Sequence, residues 1–313
     1  MKRPLTTVTR APDNYCGFAV IAGSGAYSLS FAELGKRLTG KKPLVVDTPF
    51  GISSPLHFFQ PDSKNYSLAL LSRHGETGYL VSACDVNYRA NIWALKELGT
   101  NRIIAWSGPG AIDPAFEPGS FVLPENLIDF THGRKNTFYQ GAGLGFIRQE
   151  PVFCPFLRSM LSSSFEALDM QCNQGGIYAV TQGPRLETAA EVRMIERLGG
   201  QLVGMTLAPE VFLARELEIC YHPCCYVANW AEGVKNLPSR PGELFDGMLS
   251  EKEMKRVTLA IKQFPSLILE VAAKLNNPDK KASKCPCPLA MERYRRSGRI
   301  GTDWRTWITC VEP

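Results

Sequence analysis

No stretch of the 313 residues holds about 18 uninterrupted apolar positions, so no segment is long enough to cross a membrane as a helix. The N-terminus MKRPLTTVTR is basic but leads into polar residues with no apolar core. That argues against a secretory signal and makes the cytoplasm the expected compartment. No glycine turn is followed by Gly-Lys-Ser or Gly-Lys-Thr, which excludes a P-loop. The turn Ala22-Gly23-Ser24-Gly25 lacks the third glycine of a dinucleotide-binding fingerprint. No internal repeat and no second core pattern is visible.

Cysteine, by contrast, is plentiful, with ten residues. Most lie in apolar segments such as Leu217–Tyr226, where a free thiol packs as a small hydrophobe. Without an export signal, reduced thiols are expected. Only Cys285-Pro-Cys287 looks suited to redox or metal chemistry. No second Cys or His pair lies near it in sequence, which weakens a zinc reading. Formal net charge is +5. Residues 279–313 hold eight basic and four acidic side chains, so most of that excess sits in the tail. A basic tail can bind nucleic acid, but a solvated or subunit-contacting extension is the stronger expectation.

Strand and helix patterns alternate along the chain. Phe18–Ile21, Leu44–Val46, Tyr66–Leu71, Arg102–Trp106, Phe121–Leu123, Leu127–Ile128, Gly176–Thr181, Leu202–Met205 and Cys220–Ala228 read as strands. Tyr88–Leu98, Phe156–Leu168, Thr188–Leu198, Pro209–Leu217 and a single closing helix over Lys252–Leu275 have helical spacing. Between Thr131 and Pro155 the chain is irregular, rich in glycine and aromatics, and reads as an active-site or subunit-contact loop. The pattern predicts an α/β domain with a central mixed sheet flanked by helices over residues 1–277, followed by a basic extension over 278–313 that is not a domain of its own.

In α/β sheets, ligands gather where strands end. Ser24, Arg73-His74, Ser107-Gly108 and Thr206 all fall at predicted strand ends. Each alone reads as an ordinary turn or surface group. Together their hydroxyl, guanidinium and backbone N–H donors would hold an oxyanion.

The order of segments carries more. Gly23-Ser24-Gly25, Thr48-Pro49-Phe50-Gly51, Arg73-His74-Gly75, the run Val86–Lys96, Gly183-Pro184-Arg185, Gly204-Met205-Thr206 and Pro209-Glu210-Val211 follow one another at fixed spacing. The chain thereby resembles the methylthioadenosine and purine nucleoside phosphorylase family across roughly residues 15–275. The resemblance implies a nucleoside phosphorylase-like fold, assembled as a homotrimer, with inorganic phosphate as co-substrate and no cofactor or metal. It implies a phosphate site at Ser24, Arg73, His74, Ser107, Gly108 and Thr206. Met205 lies against the ribose, and Leu186, Ala231 and Phe146 complete the substrate site, Phe146 by covering a neighbouring subunit's pocket.

For the base, adenine-type members carry an Asp, and a second Asp two residues on, where this chain has Asn229 and Ala231. An amide can donate to O6 of a 6-oxopurine and accept from a protonated N7. Glu187 matches the Glu that reads N1–H in 6-oxopurine phosphorylases. These two residues favour purine salvage by phosphorolysis of inosine, guanosine or 5′-methylthioinosine. The alternatives are an adenine-releasing methylthioadenosine phosphorylase and a catalytically idle nucleoside-binding protein. The late His that meets the 5′-hydroxyl in purine nucleoside phosphorylases has no counterpart after His222, unless His132 supplies that contact.

Overall fold

A computed structural model describes residues 6–7, 10–29, 31–40, 42–235, 242, 244, 248–277 and 285–308. Its centre is a large mixed sheet. Four strands run parallel in its middle, in the order Ser67–Ser72, Tyr15–Ala22, Arg102–Ser107, Cys220–Tyr226. Antiparallel strands extend it on both sides: Leu56–Gln60 next to Ser67–Ser72, and Phe121–Leu123 next to Cys220–Tyr226. A second sheet carries Asn126–Asp129, Ile177–Val180, Leu202–Gly204, Gly110–Ala111 and Asn229–Trp230. The α/β class with a mixed sheet and flanking helices is therefore the one the residue pattern predicts.

The strand Tyr15–Ala22 shows why the sequence folds this way. It reads as a continuous apolar run because both faces are covered. Ala19 and Ile21 enter one core cluster, with Trp93, Leu95 and Val211. Phe18, Val20 and Ala22 enter another, with Leu157, Phe264 and Leu267. The helices supply those covers. They are α1 (Tyr88–Glu97), α2 (Pro155–Ala167), α3 (Ala189–Arg197), α4 (Leu207–Glu216), α5 (Glu251–Lys262), α6 (Phe264–Leu275) and the short α7 (Glu292–Arg296). Local chemistry sets their starts. Asn87 caps α1 by accepting from the Ala90 amide. Thr188 with Glu191, and Ser250 with Glu253, form capping boxes at α3 and α5.

One expectation is corrected. The closing segment is not one helix: α5 ends at Lys262 and α6 begins at Phe264, with Pro265 in its first turn, where a missing N–H costs nothing. The loop after Thr131 is irregular, as expected, and its aromatics find their partners far along the chain rather than within the loop. Phe138, Tyr139 and Phe153 are buried in the core, and Phe138 packs on Phe50 and Trp93. Only Phe146 is left out, at 80% exposed.

Residues 278–284 lie outside the described part. Beyond them the extension folds back onto the body. Met291, Tyr294, Ile300 and Trp307 are buried in its core, and Trp304 packs edge-on against Trp93 of α1. Several of its basic groups are neutralised within the chain: Arg295 pairs with Glu218 at 2.6 Å and Arg305 with Glu97 at 2.9 Å.

Candidate active site

The C-terminal ends of the four central parallel strands open on one cavity of about 400 Å³, the size of a small-ligand site. The turns after three of them line it with Gly23 and Ser24, Arg73 and His74, and Ser107 and Gly108. The second sheet lines the other side with Tyr178, Val203, Gly204 and Asn229, followed by Met205, Thr206 and Ala231. Leu186 and Glu187 arrive from the segment just before α3. Thus all the sequence-predicted site residues except Phe146 meet in one cavity. Phe146 lies outside it, its backbone N–H donating to Tyr294 Oη at 2.9 Å. His132 is exposed and also outside it.

The turns close this tightly because they lack side chains. A Cβ on Gly25 would stand 2.0 Å from Tyr226 Oη, and one on Gly108 2.6 Å from the same atom. Tyr226, at the end of its strand, thus packs into both turns at once.

Arg73 is 1% exposed and its charge is spoken for on one side. Its Nε donates to Glu210 Oε1 at 2.7 Å and its Nη2 to Glu210 Oε2 at 2.8 Å. Tyr221 Oη donates to the same carboxylate at 2.9 Å. Burial opposes a charge on Arg73, but Glu210 more than offsets this, so the guanidinium is held ionised above its ordinary range. The fork fixes the guanidinium plane and leaves Nη1 beside the Gly23 turn, 3.4 Å from where a Cβ would sit. Glu210 lies within the Pro-Glu-Val motif, but its role as the partner of Arg73 is legible only in three dimensions.

His74 is pushed down to about 4 by burial and by the adjacent Arg73 charge, so it is neutral near pH 7. Its Nδ1 lies 3.0 Å from the Val81 carbonyl, which makes Nδ1 the protonated nitrogen and Nε2 an acceptor. It therefore complements a protonated phosphate oxygen or a hydroxyl, not a bare oxyanion. Thr206 stands at the N-cap of α4, yet its hydroxyl makes no capping bond. Ala208 behind it has non-helical backbone (φ −104°, ψ 136°), so the regular turns of α4 begin at Pro209 and the Thr206 hydroxyl stands ahead of that kink. The Ser107 hydroxyl lies 3.0 Å from Tyr178 Oη.

On the other side, Asn229 is 5% exposed. Its Nδ2 donates to the Trp230 carbonyl at 2.6 Å and lies 3.3 Å from Met248 Sδ. Glu187 Oε1 accepts from the Thr181 hydroxyl. Apolar contacts come from Ala83, Val203, Met205, Ala231, Leu244 and Met248.

One residue of the long loop organises this side, and the sequence offered no signal for it. Arg134 donates to the carbonyls of Met205 and Ala208 at 2.7 Å each, of Gln182 at 2.7 Å and of Thr181 at 3.2 Å. It rests over the Tyr88 ring. It thereby ties the segment carrying Glu187 to the segment carrying Met205 and Thr206.

A mixed α/β body thus carries one cavity lined by an anchored arginine, hydroxyls of Ser24, Ser107 and Thr206, the Asn229 amide, the Glu187 carboxylate and apolar side chains. The chain belongs to the phosphorylase superfamily, which it matches over residues 18–271, and is an enzyme of its purine nucleoside phosphorylase branch. It is 41% identical over 233 residues to a probable S-methyl-5′-thioinosine phosphorylase of Methanothermobacter thermautotrophicus, covering 74% of this chain and 78% of that one. It is 38% identical over 257 residues to the 6-oxopurine nucleoside phosphorylase of Pyrococcus furiosus, covering 79% and 92%. Among solved structures it superposes on methylthioadenosine phosphorylase from Schistosoma mansoni in complex with tubercidin, with a TM-score of 0.68 and 27% identity over 82% of this chain and 90% of that one. A methylthioadenosine phosphorylase from an antarctic soil metagenomic library shares the fold with a TM-score of 0.76, over 96% and 100% of the two chains at 24% identity.

Proposed function

We propose that this enzyme cleaves 6-oxopurine nucleosides with inorganic phosphate, taking inosine, guanosine or 5′-methylthioinosine and releasing the base and the ribose 1-phosphate. The observation that carries this reading is the pair Asn229 and Glu187, which line the same cavity as Ser24, Arg73 and Thr206.

A phosphate oxygen attacks C1′ as the C1′–N9 bond breaks, that bond's electron pair leaves on the purine, and N7 takes up a proton from solvent, matched by the proton that the hydrogen phosphate gives up on becoming the ester. The transition state is oxocarbenium-like. Arg73 Nη1 and the Ser24 and Thr206 hydroxyls hold the phosphate beside the growing positive charge. His74 Nε2 accepts from a phosphate or ribose hydroxyl. Asn229 Oδ1 accepts from N7–H, and its second N–H turns from the weak Met248 acceptor to O6. The Glu187 oxygen not engaged by Thr181 accepts from N1–H. Of these, the bond that Asn229 Nδ2 donates to O6 strengthens as the purine gains negative charge, which is where hydrogen bonds accelerate the step, while the two accepted bonds hold the N7- and N1-protonated base in place. Phosphate is a co-substrate and no cofactor takes part. Subunits assemble as a trimer in this reading, with Phe146 exposed for a neighbour.

A methylthioadenosine phosphorylase of Thermofilum pendens, 38% identical over 216 residues, keeps adenine release as the second reading. Base release measured with and without phosphate tests the reaction class: strict dependence is expected, and equal rates would overturn it. Methylthioadenosine against methylthioinosine at fixed phosphate tests the base.

A further inference from the structure

At the opposite end of the central sheet from the cavity, four cysteines meet. Cys154 is the N-cap of α2. Cys220 opens the strand that runs to Tyr226. Cys285 and Cys287 lie at the start of the C-terminal segment. Their four sulfurs all lie within 4.8 Å of one another. Cys220 Sγ and Cys285 Sγ are 3.3 Å apart, and none of the four is disulfide-bonded.

We propose that Cys154, Cys220, Cys285 and Cys287 bind one zinc ion as a closed tetrathiolate centre that fastens the C-terminal segment to the body. Zinc–thiolate bonds of about 2.3 Å in a tetrahedron set the sulfurs about 3.8 Å apart. The observed cluster brackets that spacing, so small side-chain adjustments close it around an ion. Four protein ligands leave no open position for substrate or water, which makes the centre structural. Three of the sulfur-bearing residues are buried and Cys285 is partly so, as suits a structural site. The free amides at the start of α2 favour the thiolate form of Cys154. A strand rises about 3.3 Å per residue, so Cys220 stands on the order of 20 Å from the Tyr226 end. The centre therefore acts on stability and leaves the chemistry alone. What it fastens is specific: Tyr294 holds the long loop at Phe146, Met291 N–H donates to Glu218 Oε1, and Trp304 lies on α1.

The full-length chain, purified anaerobically with reductant, should contain about one zinc per chain by plasma mass spectrometry. The reduced, metal-free chain should take up cobalt(II) with the visible bands and thiolate charge transfer of a tetrahedral sulfur site, and zinc should displace it. Cys285→Ser removes a direct ligand and should weaken metal affinity by more than about a hundredfold, the upper loss for an outer-shell partner, and lower Tm, with kcat/KM unchanged. The wild-type cobalt titration decides the matter even if that variant aggregates. A reduced chain that takes up neither metal overturns the proposal. So does a native chain whose four cysteines are disulfide-paired and which binds no zinc after reduction.

Discussion

Replacing hypoxanthine by adenine in this cavity reverses the polarity of two edge atoms. O6 becomes an amino donor, and N1–H becomes a bare acceptor. The cost can be built from the two residues that face them. Asn229 can rotate its amide to accept from the amino group, but the rotation breaks the 2.6 Å bond from Nδ2 to the Trp230 carbonyl and sets two oxygens against each other. A hydrogen bond of that kind contributes about 1 kcal/mol net. Glu187 has no such adjustment. Its Oε1 already takes the Thr181 hydroxyl, and its other oxygen would meet the N1 lone pair without a proton between them. An unpaired polar group covered by ligand costs about 1–3 kcal/mol. The two terms together come to roughly 2–4 kcal/mol, and about 1.4 kcal/mol is tenfold in rate. We expect kcat/KM for inosine or methylthioinosine to exceed that of the matching adenosine by roughly 30- to 700-fold. Glu187→Gln should narrow the gap, because its amide can keep the Thr181 bond through oxygen and donate to bare N1 through nitrogen. Asn229→Asp should narrow it as well, by supplying an acceptor for the amino group without rotation. The assay is phosphorolysis of the four nucleosides at one phosphate concentration. Equal kcat/KM for methylthioadenosine and methylthioinosine in the wild type, or a ratio unmoved by Glu187→Gln, would refute the base-reading argument.

Arg73→Ala should cost about 2–4 kcal/mol in transition-state stabilisation, as lost oxyanion donors do. It should also destabilise the fold by leaving Glu210 buried without its counter-charge. The double variant Arg73→Ala, Glu210→Ala should regain stability but not activity, and recovery of both would show that Arg73 acts only through Glu210. Arg134→Ala should raise KM for nucleoside and phosphate together, at about 1–3 kcal/mol, because both arms of the site depend on its four carbonyl contacts; unchanged KM values would remove its positioning role. Acid should destabilise the protein. Burial lowers His74 to about 4 and His222 to about 3, so between pH 6.5 and those values the unfolded chain binds more protons, and stability falls as pH falls. Burial raises Glu216 to about 7, so its contribution runs the other way, fully present below 4.5 and lost as pH rises through 7. Two histidines outweigh one carboxyl, and denaturation midpoints should peak near neutrality; an acid limb unchanged in His222→Asn would contradict this.

The alternation of apolar strands and amphipathic helices was enough to determine the α/β class, because a strand covered on both faces, such as Tyr15–Ala22, must be apolar at every position. The same logic placed Ser24, Arg73, Ser107 and Thr206 at strand ends, and parallel strands bring such ends together on one side of a sheet. Asn229 and Glu187 could be proposed from the sequence because their side-chain chemistry differs from that of an adenine site whatever their exact placement. What the sequence could not decide were pairings between distant segments. Glu210 and Arg73 are 137 positions apart, and no local pattern marks an arginine as already neutralised. Arg134 is one basic residue in an irregular loop, and its role depends on carbonyls that only the folded backbone points toward it. The cysteines show the same limit. Cys285-Pro-Cys287 has no second ligand pair near it in the chain, and only the folding of the extension against α2 and the central strand brings Cys154 and Cys220 to it. Local propensity and periodicity are short-range properties, whereas these sites are made by contacts that exist only once the sheet has ordered its strands.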